Sequence, residues 1–283
     1  MLLGFLNTNS LFLAILLFCS SYSIAQEEVD RTNESDSVYS PPERFAVWAG
    51  WFLPNFQSQA QVNSQSVGLG PIVNLERAFK LPDTENLLRI ESSFRINNHH
   101  SVYAGFYTSS REGLSEVTNN IQIGKLIIPI GTEAYAKNNI SLLKFGYRYS
   151  IVNLEKIESG VGLGFSMLFY YLFVENKILI LENTEEVDVI IPIPIINFFS
   201  EYHIWKKFDL MLYIDLFGVN FDIYDGVLFD FALNAKYKIF EQLAVGIGYN
   251  IYKIDVRVEN PKGFDGKIDY LHKGFAFFVS AVF

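Results

Sequence analysis

The chain has 283 residues, of which 50% are hydrophobic, 16% aromatic and only 19% charged, so it has ample material for one large domain. Its net charge of −9 excludes a nucleic-acid partner, which would require a basic patch. A single cysteine, Cys19, excludes a disulfide framework, and no window holds the ~18 consecutive apolar residues of a membrane-spanning helix.

At the N-terminus, Leu11 to Phe18 form a short apolar run followed by Ser23-Ile24-Ala25. That pattern predicts a signal peptide over 1–25, although residues 1–10 contain no Lys or Arg. Phe18 is too bulky to precede a lipoprotein cysteine, so Cys19 belongs to the discarded segment and the mature chain has no thiol. Residues 26–44 are polar, with Glu27, Glu28, Asp30, Glu34, Asp36 and Glu43 against Arg31 and Arg44. Such a stretch buries too little apolar surface to offset ordering entropy and is expected to be a disordered, periplasmic lead.

From Phe45 onward the sequence is one strand-and-turn series, a single domain over 45–283. The predicted strands are 45–54, 66–77, 87–97, 100–110, 118–128, 132–151, 157–175, 189–204, 208–222, 227–239, 242–258 and 267–283. Turns are expected at Asn97-Asn98, at 153–156, at Lys206-Lys207, at Asp225-Gly226 and at Glu241-Gln242. Alternation is cleanest at 227–239, where Val227, Phe229, Phe231, Leu233, Ala235, Tyr237 and Ile239 share one face. Asp230, Asn234, Lys236 and Lys238 occupy the other. Large aromatics recur on one face of strand after strand, with charges and glycines opposite them. A wall with lipid outside and a small polar lumen inside accounts for both faces.

The closing strand is apolar on one face throughout: Phe275, Phe277, Val279, Ala281 and the terminal Phe283. Such an ending resembles the signal read by the barrel-assembly machinery. The predicted fold is therefore all-β, a transmembrane antiparallel up-and-down β-barrel in the bacterial outer membrane, with outer-membrane lipid as its surroundings. Its expected strand number is about twelve, or ten if 118–128 is loop and parity removes one more. A soluble exported β-sandwich that binds a small ligand is the competing fold. Pro192 and Pro194 suit a strand start or a bulge after the acidic connection 175–188. Lys253, Asp255 and Arg257 continue the face of Ile251, so the strand leaves the membrane there or a bulge flips it. Nothing in the sequence sets an oligomeric state.

Chemistry-bearing patterns are sparse. The four histidines, His99, His100, His203 and His272, form no metal-site spacing, and no phosphate loop or nucleophile elbow occurs. No cofactor and no metal are expected. His99 and Ser101 stand as His-x-Ser, the arrangement carried by lipid A deacylases of the outer membrane, with no acid partner identifiable. This defines an enzyme reading, a lipid-modifying hydrolase, beside the favoured non-enzymatic one with a structural, surface-interaction or narrow-pore role. Arg89, Glu91, Arg95, Lys144, Arg148, Asp230, Lys236 and Lys238 are predicted to line the lumen. They would either tune ions in an open pore or pair with one another in a filled one.

Landmarks recur in order along the domain: Leu75-Glu76, Phe94-Arg95-Ile96-Asn97 with His100, and Phe145-Gly146-Tyr147-Arg148-Tyr149-Ser150. Gly162-Leu163-Gly164, Pro192-Ile193-Pro194, Tyr224-Asp225-Gly226, Gly246-Ile247-Gly248-Tyr249-Asn250 and Phe283 follow. Together they resemble a family of uncharacterised outer-membrane β-barrel proteins of Gram-negative bacteria. Relatives of that kind carry an acidic cluster after the position of Glu76, where this chain has Arg77. The resemblance implies architecture and location and no activity.

Overall fold

The computed structural model describes residues 44–64, 66–177, 184–221, 224–259 and 264–283. The expected signal peptide and, apart from Arg44, the acidic lead lie outside them. In chain order the elements are β1 (Phe45–Val62), β2 (Val73–Asn74), α1 (Leu75–Phe79), β3 (Leu87–Arg95), β4 (His100–Glu116), β5 (Ile121–Ile123) and β6 (Leu126–Ile128). There follow β7 (Glu133–Asn153), β8 (Ile157–Asn176), β9 (Thr184–Trp205), β10 (Phe208–Phe221), β11 (Tyr224–Lys238), β12 (Leu243–Glu259) and β13 (Asp265–Val282).

One antiparallel sheet runs β13-β12-β11-β10-β9-β8-β7-β4-β3-β1, and β13 pairs back onto β1, closing a ten-stranded barrel. A sheet closed on itself rules out the two-sheet sandwich. The closure is long, from Ala46↔Val282 to Val62↔Gly266, and Phe45 and Phe283 exchange backbone hydrogen bonds of 3.0 and 2.8 Å at its end. β2 merely adds two residues to β1 at the rim.

Two predicted strands are absent from the wall, which is why ten strands close it. Within 66–77 the run Gly68-Leu69-Gly70-Pro71 breaks the extended chain, and Gly68 takes φ of 99°. The remainder forms β2 and the one-turn α1, where the Asn74 side chain accepts a 2.8 Å bond from the Arg77 N–H. Within 118–128, Gly124 turns the chain at φ 58°, folding it into the β5–β6 hairpin. Asp225-Gly226 also differs from expectation: it lies inside β11, paired with Asn220 and Val219. β9 starts at Thr184, so Glu185, Glu186 and Asp188 belong to a strand and the connection before it is short.

Short turns join strands at one end of the barrel, around 96–99, 154–156, 206–207 and 239–242. The other end carries α1 and the β5–β6 hairpin. Toward the short-turn end the outward side chains are apolar, as in Leu143, Phe145, Tyr147, Tyr149 of β7 and Phe275, Phe277, Val279 of β13. Toward the loop end they turn polar: Asn55 and Gln57 on β1, Ser141 and Asn139 on β7, Lys253 and Asp255 on β12, Lys273 on β13. The β11–β12 and β12–β13 ladders run without register shift, so no bulge flips Lys253, Asp255 and Arg257. The strand has left the apolar band.

Inside, the polarity is opposite. Near the loop end the interior is apolar, with Phe56, Leu75, Phe79, Ile123, Ile128, Ile140, Leu142, Leu168, Ile254 and Ile268 all buried in one cluster. On β1, β7, β12 and β13 the outward face thus turns from apolar to polar part-way along the strand. One half is a membrane-type wall and the other resembles a small soluble barrel with its own core.

Candidate functional site: a lumen filled in two layers

The upper layer is the apolar plug. α1 drops Leu75 and Phe79 into the barrel mouth, both fully buried. Its seat requires Gly113 on β4, because a Cβ there would stand 2.2 Å from the Phe79 carbonyl oxygen. Arg111, one register step below, is 2% exposed and holds the helix from beneath. Its guanidinium donates to Glu76 Oε1 at 2.8 Å, to Ser58 Oγ at 2.6 Å and to the Pro82 carbonyl at 3.1 Å. It also lies 4.2 Å from the centre of the Phe56 ring. The second Glu76 oxygen accepts the Ser58 backbone N–H at 2.9 Å.

The lower layer is ionic. Arg89 donates to Glu91 at 2.6 Å along the same face of β3. Arg95 makes a two-pronged contact with Glu158, at 2.9 and 2.6 Å, and Ser150 also bonds that carboxylate. Lys144 reaches across from β7 to bridge Asp215, at 2.6 Å, and Asp230. Those two aspartates are directly paired across β10 and β11, a like-charge contact that the lysine neutralises. Arg148 donates to Asn197 at 2.8 Å and stacks against Tyr103 at 4.0 Å and Tyr213 at 4.7 Å. Nearer the turn end, Asp209 gathers His203 at 2.7 Å, Lys236 at 3.2 Å and Lys238 at 3.9 Å. All eight predicted lumen charges therefore face inward, each beside a group of opposite charge or a polar or aromatic partner.

Sequence reading missed half of this arrangement. The acids Glu158, Asp215 and Asp209 were not assigned to the lumen, although Asp215 alternates with the apolar Ile214 and Leu216 on β10. Arg111 and Glu76 were missed because their pairing joins a strand to a helix that no periodicity announces. The inward glycines make room for neighbours: a Cβ on Gly146 would stand 2.7 Å from the Tyr103 ring, and one on Gly164 2.9 Å from its hydroxyl. Between the layers lies His272, fully buried and stacked on Tyr252 at 5.1 Å with an interplanar angle of 13°.

Cavities of about 50 and 40 Å³ lie in the ionic layer, and both touch Trp48, Arg89, Glu91 and Tyr213. Each has room for a few water molecules and is far below the ~300 Å³ of a small-molecule site. Among the described residues no group of three or more His, Cys, Asp or Glu is placed to hold a metal ion.

His99 and Ser101 form no hydrogen bond with one another. His99 precedes β4 in the turn, where its Nδ1 bonds the Ser150 carbonyl at 2.8 Å and its ring stacks on Tyr149. Ser101 sits in β4 in register with Arg95 and Arg148. On the last strand Phe275, Phe277, Val279, Ala281 and Phe283 hold the outward register that the sequence predicts, with Phe283 74% exposed.

Among solved structures, the outer-membrane protease OmpT of Escherichia coli superposes with a TM-score of 0.57 at 11% identity, over 88% of this chain and 100% of that one. The chain has the fold of an outer-membrane β-barrel. The translocator domain of the autotransporter NalP from Neisseria meningitidis is also similar, at 11% identity over 93% of this chain and 98% of that one, with a TM-score of 0.41. Ail, the attachment invasion locus protein of Yersinia pestis, gives 8% identity over 84% and 98%, with a TM-score of 0.32. No protein-family model and no curated protein sequence matches the chain. At such identities the likeness to OmpT carries the barrel fold and nothing of its chemistry.

Proposed function

We propose that this protein is an integral barrel of a bacterial outer membrane whose lumen does not conduct, and whose work is done by its outer loops and lipid-facing wall. The observation behind this reading is the apolar plug: Phe56, Leu75, Phe79, Ile140, Leu142 and Leu168 pack across the lumen. Ions crossing that layer would lose their hydration, and the paired charges beneath leave little uncompensated charge to attract them. In this reading the short turns face the periplasm, while α1 and the β5–β6 hairpin face outside. Outer-membrane lipid bathes the apolar band, and the assembly machinery reads the Phe275–Phe283 face during biogenesis. The signal peptide is removed after Ala25. The hydrolase reading gains no support from the separate settings of His99 and Ser101.

Single-channel recording in a planar bilayer tests this, using refolded protein whose gel mobility shifts on heating. The expected result is silence at all voltages. Discrete, reproducible steps would overturn the closed-lumen reading and make the inner charges selectivity determinants.

A further inference from the structure

The barrel wall is not uniformly zipped. β9 and β10 pair from Phe208↔Trp205 only as far as Leu216↔Ile196, yet both strands continue past that point. β9 runs on to Thr184 with its ladder to β8 intact through Glu175↔Thr184. β10 runs on to Phe221 with its ladder to β11 intact through Phe221↔Tyr224. The two strands therefore diverge, leaving a seam between residues 184–195 and 217–221.

An unpaired strand edge in hydrocarbon is costly, because no water satisfies its N–H and C=O groups. Here the sequence reduces that cost. Pro192 and Pro194 lie inside the continuous β8–β9 ladder, opposite Met167 and Phe165. A proline sits in such a ladder only where its nitrogen faces away from that partner, so both missing donors fall on the edge that β10 has left. The prolines therefore mark neither a strand start nor a bulge. On the β9 side the outward rim of the seam is apolar, with Ile190, Pro192 and Pro194 leading to the last paired residues Ile196 and Leu216 and the first acid at Asp188, while on the β10 side it consists of Gly218 and the exposed Asn220. Gly218, exposed and outward, contributes no side chain and widens the slot. Behind the rim stand Ile191, Ile193 and Ile195, each at most 4% exposed, with Phe217 packed against the plug.

We propose that this seam is a lateral binding slot for a hydrocarbon chain of an outer-leaflet lipid. The slot lies in the upper part of the apolar band, where the surrounding solvent is acyl chain. Its β9 rim offers dispersion contacts opposite Gly218, and its floor is continuous with the apolar plug. The inference rests on the membrane orientation proposed above and assigns that lipid-facing wall a specific ligand.

The test is photolabelling in vesicles with a phosphatidylethanolamine that carries a diazirine in one acyl chain. Heat-modifiable mobility is checked first; a sample that never shifts counts against the membrane reading itself, whereas the slot is judged on folded protein. Peptides 190–196 and 216–221 should be labelled at least about fivefold more than the fully paired wall at 143–149 and 161–169. Gly218→Trp should abolish that excess, while Ala235→Trp, on the paired β11 wall, should leave it unchanged. Competition by unlabelled lipid A would assign the chain to the glycolipid, and competition by unlabelled phosphatidylethanolamine to a phospholipid. Uniform labelling around the band, or an excess that survives Gly218→Trp in folded protein, would overturn the proposal.

Discussion

Arg111 Nη1 lies 2.8 Å from Glu76 Oε1, joining a fully buried strand residue to the short helix that closes the barrel mouth. The guanidinium also meets Ser58, the Pro82 carbonyl, Asn138 and the Phe56 ring, but among the described residues the one opposite charge bonded to it is the Glu76 carboxylate that α1 supplies. Removing one partner of a buried pair leaves an uncompensated charge, at a cost of about 3 kcal/mol or more. Arg111→Leu should therefore lower the free energy of barrel unfolding by that order, read from a lower urea midpoint followed by gel mobility. Arg111→Met combined with Glu76→Gln should recover a large part of the loss. A single variant as stable as wild type would show that α1 is not held by this pair.

Lys144 is the corresponding group in the ionic layer. Without it, Asp215 and Asp230 face each other across β10 and β11 with no bridging cation. Lys144→Met should destabilise the barrel by about 3 kcal/mol, and Asp230→Asn in the same chain should restore at least about 1 kcal/mol. Strict additivity of the two substitutions in denaturant titrations would contradict the bridge.

At the loop end, Lys137 Nζ lies 2.8 Å from Glu112 Oε1 and the Tyr135 hydroxyl donates to Oε2 at 2.9 Å. The hydrogen bond from Lys137, then that from Tyr135, holds the Glu112 carboxyl below the usual glutamate range. A depressed folded-state value means stability present above the unfolded value and lost as pH falls through the folded one. Both side chains are well exposed, so the effect is small and screened by salt. The Glu112 carboxyl resonance should titrate below an ordinary glutamate, and should return toward it in Lys137→Ala and in ~1 M salt. An unchanged midpoint in Lys137→Ala would dismiss the pairing.

Phe283 closes the β1–β13 seam with Phe45 and leaves its ring exposed. Deleting it should reduce the folded, heat-modifiable fraction in cells several-fold. Refolding of the purified chain into detergent should remain efficient, since the long β1–β13 ladder persists. Loss of refolding in detergent would instead give Phe283 a structural role.

Because His99 bonds the Ser150 carbonyl and forms no hydrogen bond with Ser101, a plain expectation follows. His99→Ala and Ser101→Ala should leave lipid A acylation unchanged by mass spectrometry. Acyl loss that depends on either residue would restore the hydrolase reading.

The sequence by itself determined that the chain makes alternating strands with an apolar face, and it placed eight of the inward charges but not Glu158, Asp215 or Asp209. Period-two alternation is local, and a residue such as Phe277 or Lys144 declares its face through its immediate neighbours. The change of face at Lys253, Asp255 and Arg257 was legible too, but only the unbroken β11–β12 and β12–β13 ladders excluded a bulge as its cause. Strand number was not, because Gly68 and Gly124 act through backbone dihedrals that an alternating pattern conceals. Only the tertiary structure decided that the lumen is filled. Glu76 with Arg111, and Lys144 with Asp215 and Asp230, are far apart in sequence and meet because the sheet closes. The divergence of β9 from β10 was likewise hidden: prolines at 192 and 194 are readable as weak points, but which neighbour they release depends on which strand stands on each side.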